Sequence, residues 1–301
     1  METNTKKIDE ISIPVPWGHV AAKTWGEDKD PLILCIHGLM DNAGSFDRLI
    51  SHLPSSYYYV CIDLPGHGKS SHFPPHLPIH TVNYLLVYKA ATNYFKKKFI
   101  IMGHSYGGQI GFLYAQLYPQ CVVKLIMLET VTTLPVTTEY FPKYLEEMIE
   151  NHLKIIDSLA TKQPPLYTRE EALQRVKSNR NYSEIKLESA EALLKRAIEP
   201  VGQLYKFTLD QRIKNYVNPL KDNRYFIESV TKNPVKCPIL IVLGKENGFQ
   251  LTIMDSVIKF FKKSKNIKVV EVDGNHDVHN DYPERVAPLV SKFLLFQKGN
   301  L

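Results

Sequence analysis

The sequence predicts an α/β protein whose mostly parallel, doubly wound sheet of eight strands is interrupted by a helical insertion after the sixth. Three observations predict this. Wholly apolar runs such as Leu32–Ile36 and Phe99–Met102 are what strands buried on both faces look like. They alternate with amphipathic helical patterns through the first 130 residues, which implies right-handed β–α–β crossovers. The alternation stops near residue 131 and resumes near 233. The chain therefore divides into a core in two parts, 1–130 and 233–301, and an insertion, 131–232. With 301 residues, 44% of them hydrophobic, it can bury a large core.

Taken in order, residues 8–25 alternate and carry Pro14, Pro16 and Gly18, as an antiparallel pair at a sheet edge does. Leu32–Ile36 is the next strand and runs into His37-Gly38-Leu39-Met40-Asp41. Tyr57–Ile62 follows and ends in the Gly- and Pro-rich turn Asp63–Ser70. Val82, Leu85, Leu86 and Ala90 mark a helix against the sheet. Phe99–Met102 and Val122–Leu128 are further strands, the second ending in Glu129. The insertion reads as helical: Tyr144, Leu145, Met148, Ile149, His152, Leu153, Ile155 and Ile156 form one run. Thr168 and Glu171 have capping-box spacing, and Leu193, Leu194, Ala197 and Ile198 form a run stopped by Pro200 and Gly202. Pro238–Leu243 and Ile267–Val272 restart the sheet. Val286, Leu289, Val290 and Phe293 close the chain as a helix in which Pro288 predicts a kink or a late start.

Gly103-His104-Ser105-Tyr106-Gly107 matches G-x-S-x-G. A strand precedes it and a helical face of Ile110, Leu113, Tyr114 and Leu117 follows, the context of a nucleophile elbow. The two glycines let a strained turn pass close to its neighbours, so Ser105 projects above the sheet. The next helix aims its amides and positive dipole end there. The bland alternative is a glycine-rich packing turn whose serine caps the helix. The amides of Leu39 and Tyr106 would face each other as an oxyanion hole. Glu129, just past a parallel strand, shares the rim with Ser105. His37 reads as a loop brace, and Asp63 with His67 as turn chemistry.

The net charge of +6 is mild, and short runs such as Lys96–Lys98 and Lys262–Lys263 read as solvated faces, which argues against a nucleic-acid partner. No apolar segment approaches membrane-spanning length, and no leader pattern follows Met1. Cys35, Cys61, Cys121 and Cys237 are too widely spaced for a metal site or a disulfide framework. They read as buried thiols in a reducing, intracellular and cytoplasmic setting. Oligomeric state leaves no trace.

Val15–His19, His37–Asp47, Asp63–Ser70, Gly103–Gly108, Asp210–Arg212 and Gly274–His279 together resemble the α/β-hydrolase superfamily, and most closely its serine hydrolase-like, kraken-like proteins of animals. The resemblance spans nearly the whole chain. It implies a hydrolase with a Ser–acid–His triad, a helical cap, no cofactor and no metal. It carries His276 over as the base, leaves the substrate unnamed, and leaves a peroxisomal or vesicular address open. One departure concerns the acid. Much of the superfamily places it after the strand that follows the cap, and here that position holds Asn247, which carries no charge. Haloalkane dehalogenases and the similar coelenterazine luciferase keep theirs after the preceding strand, where this chain has Glu129. Glu246 is the second candidate, and His279 is a rival base that reads better as a surface or supporting histidine. Ser105 excludes dehalogenase and epoxide-hydrolase chemistry, which needs an aspartate nucleophile.

The expected function is a carboxylesterase-type acyl hydrolase acting on a small, ester-like apolar substrate. Met40, Tyr106 and Phe249 would line its pocket, along with the cap. Two other classes stand beside it: a ligand-binding or receptor-like protein with little turnover, suggested by Asn247, and a cofactor-free oxygenase or lyase, suggested by the position of Glu129.

Overall fold

A computed structural model of the chain describes residues 6–180, 183–217 and 222–296, with the backbone alone for Phe249 and Gln250. The strands are β1 (Ile8–Val15), β2 (Gly18–Trp25), β3 (Leu32–Ile36), β4 (Tyr58–Ile62), β5 (Phe99–His104), β6 (Val122–Leu128), β7 (Ile198–Val201), β8 (Leu204–Phe207), β9 (Ile239–Gly244) and β10 (Ile267–Val272). The helices are α1 (Asp47–Ile50), α2 (Leu85–Phe95), α3 (Tyr106–Leu117), α4 (Phe141–Thr161), α5 (Arg169–Ser178), α6 (Leu187–Ala197), α7 (Asn223–Lys232), α8 (Gly248–Ile253), α9 (Asp255–Lys262), α10 (Val278–Asp281) and α11 (Pro283–Leu295).

Eight strands form one sheet in the order β1-β2-β4-β3-β5-β6-β9-β10. The first three pair antiparallel at the edge, and every later pair is parallel. The apolar runs lack alternation because both faces are covered. Leu34, Ile36 and Ile101 pack into the core on one side, and Ile33, Cys35 and Met102 into the core on the other. The first side is closed by α2, α3 and α9, the second by α1 and α11. All five β3 side chains are at most 2% exposed, and each contributes about 1.5–3 kcal/mol of burial. The chain runs outward from β3 to β4 and then returns past β3 to β5. That reversal opens a crevice at the carboxyl ends of β3 and β5, where the loops carrying Leu39 and Ser105 meet.

Several helical faces differ from expectation. In α2 the buried side is Val87, Tyr88 and Ala91, continued by Tyr84 just before the helix, whereas Val82 and Leu86 are exposed. In α3, Ile110 and Tyr114 are buried with Phe112 and Ala115, and Leu117 is exposed. Aromatic hydroxyls explain the α2 phase: Tyr88 donates to Gly107 O at 2.7 Å, so a tyrosine that sequence patterning treats as marginal is a core residue. Helix α11 starts at Pro283, where a missing N–H costs nothing, and runs on through Pro288.

Between β6 and β9 lie α4 to α7 and a hairpin of β7 and β8 that the periodicity did not predict. Pro200 and Gly202, read as a helix stop, belong to that hairpin. Gly202 takes φ +62° at its turn. The Thr168–Glu171 capping box forms in both directions. Ile149 and Leu153 of α4 are exposed rather than packed, at 53% and 60%. Two guanidinium clamps tie this segment to the sheet. Arg196 of α6 donates through Nε and Nη2 to Asp63, which also accepts from Ala43 N and Lys69 N at 2.8 Å each. Arg212 is held by Asp210 and donates to the carbonyls of Phe73 and Pro74. No helix among the described residues is long and apolar enough to cross a membrane. Cys35, Cys61 and Cys237 are buried free thiols, whereas Cys121 is only partly buried.

Candidate active site

Strand β5 ends at His104, and Ser105 turns the chain into α3 with φ +47° and ψ −118°. A non-glycine residue in that region is strained by about 1–3 kcal/mol and persists where surroundings enforce it. The enforcement is visible at two glycines. A Cβ on Gly103 would lie 2.4 Å from Gly108 N, and one on Gly107 would lie 2.2 Å from Ile36 O. Only glycine lets β5, α3 and the end of β3 approach so closely. The same closeness brings Gly38, at the start of the β3 loop, against Ser105 Cβ.

Ser105 Oγ lies 3.0 Å from His276 Nε2. His276 follows β10, and its carbonyl oxygen meets His104 Nε2 at 2.9 Å. On the other side of the ring, His276 Nδ1 is 3.7 Å from Glu129 Oε2 and 3.4 Å from Asn247 Nδ2. Glu129 sits one residue past β6, is 1% exposed, and takes φ +55°. Its Oε1 accepts from Gly244 N, and its Oε2 accepts from Asn247 Nδ2 at 3.2 Å. The structure thus brings Ser105, His276 and Glu129 together and inserts the Asn247 amide beside the acid. Glu246 is exposed, and its N–H bonds Gly274 O at 3.1 Å.

The amides of Leu39 and Tyr106 belong to the two loops that meet at Ser105. Tyr106 opens α3, so its N–H has no earlier turn to bond. Both residues line a cavity of about 880 Å³ together with Ser105, His276 and Met40. Met40 has φ +64°, and its N–H donates to His67 Nε2 at 3.2 Å. The side chain of Phe249 lies outside the described residues. His37 braces the loop: its Nε2 accepts from Leu64 N at 3.0 Å and its Nδ1 meets Gly38 O at 2.6 Å. Asp63 is consumed by the Arg196 clamp and His67 by Met40.

A buried polar cluster behind the serine was not anticipated. Arg180, between α5 and α6, bonds Asp41 at 2.5 Å through Nη1 and Asp277 through Nη2. It joins the β3 loop, the histidine loop and the segment between β6 and β9. Burial pushes the Asp277 carboxyl up to about 6 despite Arg180, with the Asp41 charge adding to the rise. Burial also opposes ionisation of Asp41, but Arg180 outweighs it and holds that carboxyl below its usual range. His279 is not on the surface: it is fully buried and packs against His104 with ring centroids 4.0 Å apart and the rings tilted by 32°. Burial pushes the pKa of His279 well down and that of His104 down to about 3, so both rings are neutral. Asp41 and Asp277 stand in the motif stretches His37–Asp47 and Gly274–His279, but Arg180 sits in Ser178-Asn179-Arg180, where no spacing marks it.

Comparison with known proteins bears on the fold and the family. A family model described as the alpha/beta hydrolase fold matches residues 31–283. The chain is similar to human serine hydrolase-like protein 2, at 34% identity over 95% of this chain and 94% of that protein. It is also similar to the zebrafish (Danio rerio) serine hydrolase-like protein, at 32% over 97% and 90%. A probable serine hydrolase of Drosophila melanogaster matches at 30% over 95% and 87%. Among solved structures, a hypothetical protein of Pseudomonas aeruginosa PAO1 superposes with a TM-score of 0.81 at 25% identity, over 95% of this chain and 98% of that one. A thioesterase domain from the curacin biosynthetic pathway superposes with a TM-score of 0.76 at 20% identity, over 94% and 99%, which speaks for the fold alone.

Proposed function

Because the chain belongs to the α/β-hydrolase family, among its serine hydrolase-like members, we propose that it is a carboxylesterase-type acyl hydrolase working through Ser105, His276 and Glu129. The observation that carries the reading is the 3.0 Å contact between Ser105 Oγ and His276 Nε2 at a strained strand-to-helix turn. His276 takes the serine proton as the Oγ–carbon bond forms. The amides of Leu39 and Tyr106 bind the oxyanion, each worth about 2.7–4 kcal/mol by the effect of losing such a donor. The carbon–leaving-group bond then breaks, and His276 returns the proton to the leaving oxygen. Water attacks the acyl-enzyme, and the same proton path runs again.

Glu129 supplies the acid. Its Oε2, 3.7 Å from Nδ1, is one small side-chain adjustment from hydrogen-bond range. With Oε1 fixed on Gly244 N, that charge would hold the productive tautomer and offset the imidazolium. Residues 131–232 serve as the lid, since they contribute Leu134, Tyr167, Leu193, Phe207 and Tyr216 to the cavity wall. Met40 lines the acyl site, and no cofactor or metal enters the scheme.

Asn247 favours a second reading, a ligand-binding protein with little turnover. An amide that donates to His276 Nδ1 at 3.4 Å leaves the proton on Nε2, facing Ser105, which is the wrong tautomer for a base. One experiment separates the two. The hydrolase reading expects release of p-nitrophenol from short p-nitrophenyl esters and covalent labelling by a fluorophosphonate. Both should fall away in Ser105→Ala, with kcat reduced on the order of 10⁶-fold. Folded wild-type protein that does neither contradicts the hydrolase reading, and a ligand-induced thermal shift that survives Ser105→Ala supports the binding one.

A further inference from the structure

We propose, resting on the acyl-hydrolase reading, that the substrate is an acyl ester or thioester whose leaving group is anionic. The apolar acyl chain lies inside the cavity, and a phosphate or carboxylate on the leaving part meets cations at the mouth. A cavity of about 880 Å³ is far larger than a short ester needs and lies within the range of sites for extended ligands. Its lining includes the buried side chains of Tyr106 and Leu193, each 2% exposed, beside the polar Asp41, Arg180 and Asp277.

The charges are segregated. The acidic side chains lining the cavity are Asp41 and Asp277, and Arg180 engages both. The other charged lining residues are Lys162, Arg175 and Lys214, all cationic and all exposed. Among the described residues none of the three makes a salt bridge. Lys162 caps the end of α4, Arg175 lies on α5, and Lys214 follows Arg212 in the turn that packs against α4. Arg175 lies over the Tyr167 ring at 4.5 Å, which holds its guanidinium without using its N–H donors. Three separate elements therefore each put an exposed cation on the lining of one cavity, and Glu171, one turn before Arg175 on α5, offsets part of that charge. Such a rim repels cationic leaving groups, is indifferent to neutral ones, and steers anionic ones toward the serine. The reaction balances as simple hydrolysis. The acyl carbon exchanges its bond to the leaving oxygen or sulfur for one to Ser105 and then to water. The proton passes through His276 to the leaving atom.

The test uses matched probes. Decanoyl phosphopantetheine and decanoyl pantetheine differ only by a phosphate, and the decanoyl ester of glycolic acid against that of methyl glycolate isolates a carboxylate. The proposal expects wild-type kcat/KM to favour at least one charged member over its neutral twin by roughly tenfold at low salt, with the preference shrinking as salt rises. The gap should collapse in the Lys162→Gln/Arg175→Gln/Lys214→Gln variant. Non-hydrolysable thioether forms of the pantetheine pair, titrated calorimetrically into Ser105→Ala, should show the same gap without any turnover. Equal values for charged and neutral twins overturn the proposal. So does a salt-independent preference, or a preference for an ω-carboxylated acyl chain on neutral pantetheine. Failure of the hydrolase reading looks different: no probe is turned over and Ser105 takes no label, while the calorimetric comparison still reads the rim.

Discussion

The floor of the cavity and its wall are built by opposite means. In the floor, Met40, Ser105 and Glu129 all hold positive φ, Glu129 and His276 are buried, and Glu129 Oε1 accepts from Gly244 N. Geometry there is set by the sheet, the close-passing glycines and short polar bonds. The wall, between β6 and β9, leaves Leu134, Leu153, Leu159 and Leu166 at least 41% exposed. It is tied to the floor through three arginines, Arg180, Arg196 and Arg212. The difference teaches that chemistry and recognition are separable in this molecule. The proposed reacting groups sit on sheet ends and the turns that follow them, whereas the surface proposed to select substrate is clamped from a few points.

Replacing a floor residue should therefore cost rate with little stability, and replacing a clamp should cost stability first. After Ser105→Ala, the largest effect is expected at Glu129. Glu129→Gln should lower kcat roughly 10⁴-fold, as loss of a triad acid does. Adding Asn247→Asp should restore part of it by moving the charge to the neighbouring strand end. An unaltered rate in Glu129→Gln breaks the comparison at its centre. Next comes Arg180→Ala, which strands two buried carboxyls. The expected loss is about 3–5 kcal/mol, read by urea titration, with kcat falling as the β3 and histidine loops lose their shared anchor.

Acid should discriminate as well. An unfolded histidine titrates near its ordinary 6.5, but burial holds the rings of His67 and His104 down to about 3. Between those values the unfolded chain binds protons that the folded chain refuses. Stability is then present above pH 6.5 and lost on acidification, by up to about 1.4 kcal/mol per pH unit for each ring. Asp277 works in the opposite direction. With its carboxyl raised from 3.8 to about 6, the folded state keeps a proton through that interval and offsets about one ring. Thermal melts between pH 7 and pH 5 should show the net loss, and a flat profile contradicts neutral buried histidines. The smallest effect is expected at the exposed side of α2, where Leu86→Ser should change stability by less than about 0.5 kcal/mol. On the buried side of the same helix, Tyr88→Ala should cost about 3–5 kcal/mol.

How much could be read from the chain follows the same division. The strands around the serine were legible because burial on both faces leaves unbroken apolar runs, and the elbow because only glycine fits two of its positions. The position of Glu129 on the rim near His276 was legible from its place past a strand end. Helix faces were less so. Val82 and Leu86 are apolar yet face solvent, whereas Tyr84 and Tyr88 occupy the core, because a tyrosine hydroxyl with a partner can be buried and periodicity does not see partners. The β7–β8 hairpin escaped because its strands are short and its Pro200 and Gly202 also serve as helix stops. Arg180 escaped for a different reason. Its role depends on Asp41 and Asp277, 139 and 97 residues away in sequence, and nothing local marks it.

The central claim is that the anion behind His276 comes from Glu129. The direct test is a crystal structure of the fluorophosphonate-labelled protein. The account predicts a phosphonyl oxygen held between the amides of Leu39 and Tyr106, with Glu129 Oε2 closed to hydrogen-bond distance of His276 Nδ1. An adduct in which the Asn247 amide still holds Nδ1 and Glu129 remains bound only to Gly244 and Asn247 contradicts it.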